Sequence, residues 1–248
     1  MIEAFRVGAV SRGKTLWEGL DLALGDGEIW VVAGPPSCGK TVLMNILRGE
    51  RRPDLGDVVV GGESVYKGSP DHNRRFRAAS GVVPESLPAS AGRTVEDMFR
   101  LSALAAGEVP AAERKRRTEE LLSLVGLPGA EEAGVSSLSA SERARAALAV
   151  ELFRSPRYLF LDMLLANAGK EWEEKLGSLF RALAKEERTI IMMERQLPDR
   201  WQGGKGSPPV SADPFSLSRV AAPATGPKGA PSVPPPPGGK EDRTGGRE

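Results

Sequence analysis

The chain has 248 residues, 40 % of them hydrophobic, which is enough to bury a real core and excludes a wholly disordered protein. Lys and Arg total 34 against 33 Asp and Glu, and the resulting formal net charge of +1 argues against a nucleic-acid partner. A single cysteine excludes an intramolecular disulfide, and a single histidine excludes a His-based metal cluster.

The N-terminal stretch alternates apolar and polar residues, which predicts short antiparallel strands with turns at Gly8, Gly13 and residues 25–27. It has neither the basic start nor the long apolar core of a signal peptide. No apolar run in the chain approaches the roughly 20 residues of a membrane span. We therefore expect a cytoplasmic protein, which another subunit would have to hold if it acts at a membrane.

An apolar run over residues 29–33 predicts a strand buried on both faces, and helical spacing begins at Val42. The sequence GPPSCGKT between them matches the phosphate-loop pattern G-x-x-x-x-G-K-[ST]. Such a loop faces phosphates with backbone N–H groups, its Lys contacts the β- and γ-phosphates, and its hydroxyl ligates Mg²⁺. The residues that we expect to bind ATP and Mg²⁺ here are Gly34, Pro35, Pro36, Ser37, Cys38, Gly39, Lys40 and Thr41.

Two members of this loop differ from the common pattern. Ser37 stands where many such loops carry glycine, and a positive φ there would cost on the order of 1 kcal/mol. Cys38 has two open interpretations, a thiol activated by the helix dipole and a small buried side chain, and the second is the simpler.

Further strands are predicted at residues 57–61 and 81–83, and residues 94–126 have the spacing of a mostly helical insert. Buried-strand patterns recur at residues 158–161 and 189–193, each after a helical segment. Strands that alternate with helices predict an α/β fold with a parallel sheet.

From about Gly203 the composition changes to Pro, Gly, Ser and Ala with scattered apolar residues. Such a segment buries too little surface to offset the entropy of ordering it. We therefore predict a folded domain over residues 1–202, with a helical subdomain at about 88–140, and a disordered Pro/Gly-rich tail over residues 203–248.

Several segments together resemble an ABC-transporter ATPase: the phosphate loop, GVV at residues 81–83, LSASERARAALAVEL from Leu138, and YLFLD ending at Asp162. RRFRAASGVV from Arg74 and AGRTVEDMF from Ala91 are similar in particular to the cell-division ATP-binding family FtsE, with the lipoprotein-export ATPase LolD as a near relative. The resemblance covers about residues 1–200. It implies a RecA-like P-loop lobe with an antiparallel N-terminal β region, and a helical lobe.

The resemblance also implies partners. Such a protein forms a homodimer around ATP, couples to an integral-membrane, permease-like subunit of the FtsX type, and lies peripherally on the inner face of the cell membrane. It would act in cell division or at the cell envelope.

By the same resemblance, Asp162 joins Thr41 at Mg²⁺, and Ser139 caps the γ-phosphate of the opposite protomer. The signature around Ser139 has Ala140 and Ser141 in place of two glycines, which would impair closure of the dimer on phosphate. The adenine-stacking aromatic residue is missing from its expected place, and we expect the nearby Trp17 to lie in the core.

Three positions lack the residues that hydrolyse ATP in this family. Met163 replaces the glutamate that polarises the attacking water, and Glu85 replaces the glutamine that senses the γ-phosphate, although its carboxylate can still ligate Mg²⁺. Arg195 replaces the switch histidine, unless a shift of one residue puts Glu194 there.

These replacements predict an ATP-binding subunit with weak or absent hydrolysis. Two alternatives stay open. One is a working ATPase that energises lipoprotein release or export with an unorthodox catalytic residue. The other is a P-loop protein outside the ABC family, such as a small kinase, which the LSASE segment and the strand order disfavour.

Overall fold

The structure is a computed structural model that describes residues 1–85, 94–107, 109–197, 201, 210–212 and 215–220. Its strands are β1 (Ile2–Ser11), β2 (Lys14–Leu24), β3 (Ile29–Ala33), β4 (Leu55–Val60), β5 (Glu63–Ser64), β6 (Ser80–Val83), β7 (Tyr158–Asp162), β8 (Thr189–Glu194), β9 (Val210–Ala212) and β10 (Phe215–Val220). Its helices are α1 (Lys40–Leu47), α2 (Pro70–Ala78), α3 (Val95–Ala106), α4 (Ala111–Leu124), α5 (Ala140–Phe153), α6 (Leu164–Ala168) and α7 (Lys170–Lys185), with a 3₁₀ turn at Val135–Ser137.

The N-terminal strands form an antiparallel sheet with the order β2-β1-β4-β5. Its inward side chains, such as Ile2 and Leu24, share a core with the buried residues of α1. Arg12 and Gly13 make the β1–β2 turn, both with positive φ. The turn expected at Gly8 was wrong, because Gly8 lies inside β1 where the pairing register shifts.

The second sheet has the order β6-β7-β8-β3-β10-β9, and its first four strands are parallel. Strands β7 and β8 are buried along their whole length, which is why they read as apolar runs rather than as alternating patterns. One face of the sheet packs on α3, α4, α5 and α7, and the other packs on α1 and the antiparallel sheet. The predicted α/β architecture is confirmed. The carboxyl ends of β3, β7 and β8 meet at one edge, where the candidate site lies.

The helical part begins with a capping box at Thr94, which satisfies backbone N–H groups at the start of α3. The fully buried Arg117 of α4 donates to carbonyl groups at the end of α5, which a helix C-terminus otherwise leaves unpaired. Both α3 and α4 lie within the range of about 88–140 that the sequence predicted. Residues 86–93 and 108 lie outside the described residues. Among the described helices, none is long and apolar enough to cross a membrane.

The chain returns to the parallel sheet after residue 202, where the sequence predicted only a disordered tail. Strand β10 pairs antiparallel with β3, from Ser216 opposite Ala33 to Val220 opposite Ile29, and β9 pairs with β10. The prediction that the folded part ends at residue 202 was therefore wrong.

The composition of this segment does not reveal strand β10, because its apolar residues are few. Phe215 and Leu217 lie two positions apart, which is the spacing of a strand with one buried face. They are 3 % and 2 % exposed, and both belong to the core beneath the antiparallel sheet. One such strand needs little hydrophobic surface when a neighbouring strand supplies its hydrogen-bond partners. The rest of the predicted tail, residues 203–209, 213–214 and 221–248, lies outside the described residues.

Candidate functional site

The loop between β3 and α1 contains two residues with positive φ. Gly39 has a φ of 98°, and a Cβ at this position would lie 2.8 Å from Nε1 of the buried Trp17. Ser37 has a φ of 62°, so the strain anticipated from the sequence is present and costs on the order of 1 kcal/mol. A side chain at position 39 would collide with its neighbours, so glycine is required there. At position 37 serine is tolerated, with backbone strain.

Lys40 begins α1, and its ammonium group turns back into the loop. Nζ donates to the carbonyl oxygen of Gly34 at 2.7 Å and to that of Pro35 at 2.8 Å. The half-buried Cys38 places its Sγ 3.8 Å from the same nitrogen and packs against the core under the antiparallel sheet. The loop therefore holds a point charge at its centre, where a phosphate group would meet it.

Asp162, at the end of β7, faces the loop across the edge of the sheet. Its Oδ2 accepts a hydrogen bond from Thr41 Oγ1 at 2.7 Å, and the residue is 3 % exposed. Burial raises the pKa of Asp162, while the hydrogen bond from Thr41 opposes that shift, the charge of Glu85 adds to it and the charge of Lys40 opposes it. A hydroxyl and a carboxylate thus lie side by side at the carboxyl end of the sheet.

These oxygens fit Mg²⁺ held together with a phosphate. Mg²⁺ is usually bound through one or two carboxylates, with phosphate and water oxygens completing its octahedral shell. Among the described residues, no group of three or more His, Cys, Asp or Glu residues could hold a metal by itself. The donor set is therefore one that depends on a phosphate ligand to complete it.

A cleft of about 380 Å³ opens above the loop. It is lined by Ser11, Leu16, Pro36, Ser37, Gly39, Lys40, Thr41, Val42, Glu85, Asp162, Met163 and Arg195. The structure thus brings the phosphate loop, both candidate carboxylates and the replaced positions to one cavity. None of these lining residues is aromatic. Trp17 is 4 % exposed and packs edge to face on Phe215, in the core where the sequence predicted it.

Met163 lies directly after Asp162 in the wall of the cleft. It has a φ of 54°, an unusual left-handed conformation for a residue with a Cβ, and it is 6 % exposed. Its backbone N–H donates to the carbonyl oxygen of Met193 at 2.8 Å. A thioether can neither accept a proton nor orient water, so this position contributes no base.

Arg195 and Glu194 have different surroundings at the end of β8. Arg195 is exposed and lines the cleft, which favours it over Glu194 as the counterpart of the switch residue. Glu194 is 3 % exposed and is not among the residues that line the cleft. Its Oε1 accepts a hydrogen bond from the Leu165 N–H at 2.8 Å, and its carbonyl oxygen accepts one from the Gly34 N–H at 3.2 Å.

The sequence did not predict this buried carboxylate. Burial raises the pKa of Glu194 to about 7, although backbone N–H groups of Leu165 and Ala166 favour its charged form. The available signal was a charged residue that closes the apolar run of residues 189–193 inside a strand. This signal does not reveal the hydrogen-bond partner Leu165, which lies 29 residues away in the sequence.

The signature segment lies apart from the cleft in this protomer. Ser139 caps α5 and forms a capping box with Glu142, while Ala140 and Ser141 begin the helix. Ser139 is not among the lining residues of the cleft, so its expected phosphate contact would require a second protomer. Ser141 Oγ donates to the carbonyl oxygen of Ala168 at 2.6 Å and joins α5 to α6.

Known proteins are similar to this chain in sequence, and others are similar to it in fold. Methionine import ATP-binding protein MetN of Halalkalibacterium halodurans is 35 % identical over 158 residues, which cover 63 % of this chain and 46 % of that protein. An uncharacterized ABC transporter ATP-binding protein of Thermotoga maritima is 31 % identical over 180 residues, which cover 72 % of this chain and 76 % of that protein. The chain spans about half the length of the methionine import proteins that it matches. These relatives give the finer resemblance to FtsE and LolD no support.

A dimeric ATP-binding cassette in a post-hydrolysis state, bound to ADP and Pi, matches the fold with a TM-score of 0.70. The match covers 79 % of this chain and 88 % of that chain at 20 % identity, which shows the fold alone. The family model described as "ABC transporter" matches residues 17–164, more than half of the sequence. The chain therefore belongs to the ABC transporter family.

Proposed function

We propose that the chain is the ATP-binding subunit of an ABC-type membrane complex and binds Mg-ATP in the cleft above the phosphate loop. The observation that carries this proposal is the hydrogen bond between Thr41 Oγ1 and Asp162 Oδ2, 2.7 Å long, beside the Lys40 ammonium group. A cation, a hydroxyl and a carboxylate thus meet at a loop of backbone N–H groups, which is the set that Mg-nucleotide recognition needs.

The roles divide as follows. Residues of the loop surround the phosphates, and Lys40 pairs with them as a point charge. Thr41, Asp162 and Glu85 are the groups that would hold Mg²⁺, which supplies charge neutralisation between the β- and γ-phosphates when it is bound. Ser139 completes the site from the opposite protomer of a homodimer.

We further propose that hydrolysis is weak or absent. Met163 stands in the wall where a base would be needed, Glu85 adds a negative charge toward the phosphates, and the guanidinium group of Arg195 offers only hydrogen-bond donors. The second candidate, an active ATPase, is favoured by one observation: Glu85 is an exposed carboxylate that lines the cleft. Such an enzyme would energise lipoprotein release or export, or an import system of the kind that MetN is named for.

The partner of this subunit would be an integral-membrane, permease-like protein, and the chain would lie peripherally on the inner face of the cell membrane. An FtsX-type partner, with a role in cell division, rests on the sequence resemblance. An import permease rests on the name of the relative MetN. The balanced charge of the chain gives no support to a nucleic-acid partner.

One purified preparation tests the proposal through ATP binding and ATP hydrolysis, each measured with Mg²⁺ and with EDTA. We expect ATP affinity that rises with Mg²⁺, and turnover well below about 1 s⁻¹, the low end of ordinary enzymes. No detectable affinity at millimolar ATP would overturn the nucleotide site. Turnover at or above about 1 s⁻¹ would overturn weak hydrolysis and favour the ATPase, with Glu85→Ala as the first variant to test.

A further inference from the structure

Three side-chain hydrogen bonds hold the segment that follows β7, residues 163–168, here called the post-strand segment. Two of them are made by side chains of β8 and α5, and one by a side chain of the segment itself. Glu194 accepts the N–H of Leu165 at 2.8 Å. Asn167 Nδ2 donates to the backbone carbonyl of Glu85 at 2.7 Å, and Ser141 Oγ donates to the carbonyl of Ala168 at 2.6 Å. The post-strand segment therefore connects β8, the chain that carries Glu85, and the start of α5.

The pairing register of β7 and β8 places Glu194 beside the start of the post-strand segment. Strands β7 and β8 are parallel, with Asp162 opposite Met193, so Met163, the first residue after β7, follows this pair on one side and Glu194, the last residue of β8, follows it on the other. The backbone of Met163 is already fixed to β8 through the carbonyl of Met193. The carboxylate of Glu194 reaches past Met163 to the amide of Leu165 and spans the left-handed turn between them.

Burial makes this contact costly to lose. A carboxylate that is 3 % exposed is tolerated only when hydrogen bonds replace its hydration, and the N–H of Leu165 provides one of them. A non-glycine residue at φ 54°, such as Met163, persists only where its neighbours over-determine the conformation. The same hydrogen bond therefore satisfies a buried carboxylate and restrains a strained backbone.

We propose that Glu194 is a positioning residue: by accepting the Leu165 amide proton, its side chain holds the post-strand segment and thereby sets Met163 and the Glu85 backbone against the phosphate cleft. Glu194 does not touch the nucleotide in this role. Its effect on binding passes through Asn167 and Glu85, so it falls on the part of the affinity that depends on Mg²⁺. This inference rests on the proposed nucleotide site.

Two variants separate hydrogen-bond acceptance from charge and from size. Glu194→Gln keeps an oxygen that accepts the Leu165 N–H, whereas Glu194→Leu fills the space and offers no acceptor. Glu194→Gln keeps an acceptor, and although Glu194→Leu leaves the N–H of Leu165 without one, the loss of a single hydrogen bond is small against the stability of an ordinary domain, so we expect both variants to fold. Met193→Leu, in the same strand and without a side-chain hydrogen bond in this contact, is the matched control.

The first measurement is amide hydrogen exchange of a peptide covering residues 163–169, without nucleotide. In Glu194→Leu we expect exchange at least about tenfold faster than in the wild type, since the amide of Leu165 loses its partner. In Glu194→Gln and Met193→Leu we expect rates within about threefold of the wild type.

The second measurement is the ratio of ATP affinity with Mg²⁺ to ATP affinity with EDTA. We expect this ratio to fall about five- to tenfold in Glu194→Leu, with the EDTA affinity unchanged, and to be retained in Glu194→Gln. Equal loss with and without Mg²⁺ would indicate a merely structural role and overturn the proposal.

Two other outcomes would also overturn the positioning role of Glu194. If Glu194→Gln behaves like Glu194→Leu, the charge rather than the acceptor matters. If Glu194→Leu exchanges like the wild type, the segment does not depend on this residue. Absence of nucleotide binding in every protein would instead refute the proposed function, and the exchange rates would then decide the positioning role alone.

Discussion

The two walls of the cleft differ in what their chemistry depends on. The loop wall, residues 34–41, presents the backbone N–H groups of its non-proline residues, the ammonium group of Lys40 and the hydroxyl groups of Ser37 and Thr41. The opposite wall depends on the side chains of Glu85, Met163 and Arg195, and at each of these positions the residue differs from the one that ABC-type hydrolysis uses. If the proposed function holds, binding and turnover are carried by separable parts of one cavity.

The difference has a physical basis. A wall built mainly from backbone groups tolerates Cys38, because any non-proline residue supplies the same N–H. Pro35 and Pro36 supply no N–H, but any residue supplies a carbonyl oxygen, and that of Pro35 accepts a hydrogen bond from Lys40. A wall built from side chains loses a catalytic group with a single substitution. At Met163, for example, the thioether has no carboxylate oxygen that could act as a base. Met163 is 6 % exposed, so its side chain packs in the fold although it supplies no carboxylate to the cleft.

The largest expected effect comes from removing the strand beside β3, which supports the loop wall from behind. A chain that ends at residue 202 lacks β9 and β10 and leaves β3 with an unpaired edge. Because Phe215, Leu217 and Val220 are buried, we expect a loss of several kcal/mol and a fall in thermal midpoint on the order of 10 °C, or insoluble protein.

A chain that ends at residue 220 is the matched control for this truncation, since it removes only the remaining Pro- and Gly-rich segment. We expect its thermal midpoint and ATP affinity to match those of the full chain. Equal stability of the chains ending at 202 and at 220 would show that β10 adds nothing to the domain.

A combined variant tests whether the opposite wall alone limits turnover. Water-positioning groups typically supply 10² to 10⁴ in rate, and such groups act as a unit, so we expect Met163→Glu, Glu85→Gln and Arg195→His together to raise hydrolysis on the order of 10²-fold. Met163→Glu by itself should recover little, because it adds a negative charge beside Asp162. Rates under saturating Mg-ATP provide the measurement, and an unchanged rate in the triple variant would contradict separable walls.

Lys40→Ala breaks the loop wall at its charged centre. Loss of a charge-assisted contact with phosphate removes roughly 1.5 to 3 kcal/mol, so ATP affinity should fall about ten- to a hundredfold. Lys185→Ala, an exposed lysine in the last turn of α7, is the control and should bind like the wild type. Titration of both variants with ATP gives the comparison, and equal affinities would contradict the role of Lys40.

The smallest expected effect concerns the strain stored in the loop wall. Ser37→Gly should raise the free energy of unfolding by up to about 1 kcal/mol, because glycine adopts positive φ without steric cost. Ser136→Gly, at an exposed position without positive φ, is the control. This substitution should lower the free energy of unfolding. Denaturant unfolding measures both, and a destabilising Ser37→Gly would contradict the strain.

Sequence reasoning predicted the parts of the site that have a fixed local pattern. The phosphate loop was identified from its residue pattern, with a strand before it and a helix after it, whereas the metal-binding role of Asp162, which ends a buried run, came from the resemblance to ABC-transporter ATPases. The strand Phe215–Val220 was missed because composition was averaged over a long polar segment. The burial of Glu194 was missed because it depends on Leu165, a partner 29 residues away in the sequence.

The strand order also has a consequence for how the protein is made. The residues of β3 are synthesised early. Its two neighbours in the sheet, β8 and β10, are among the last strands of the described chain to be synthesised. At 5 to 20 residues per second, the roughly 190 residues between β3 and β10 take about 10 to 40 s to emerge. Until β8 has emerged, the apolar Ile29–Ala33 segment has neither of its sheet partners, and until β10 has emerged it lacks one of them. The nascent chain therefore carries an incompletely paired apolar strand for most of its synthesis, so chaperone binding in this period should favour the yield of folded protein.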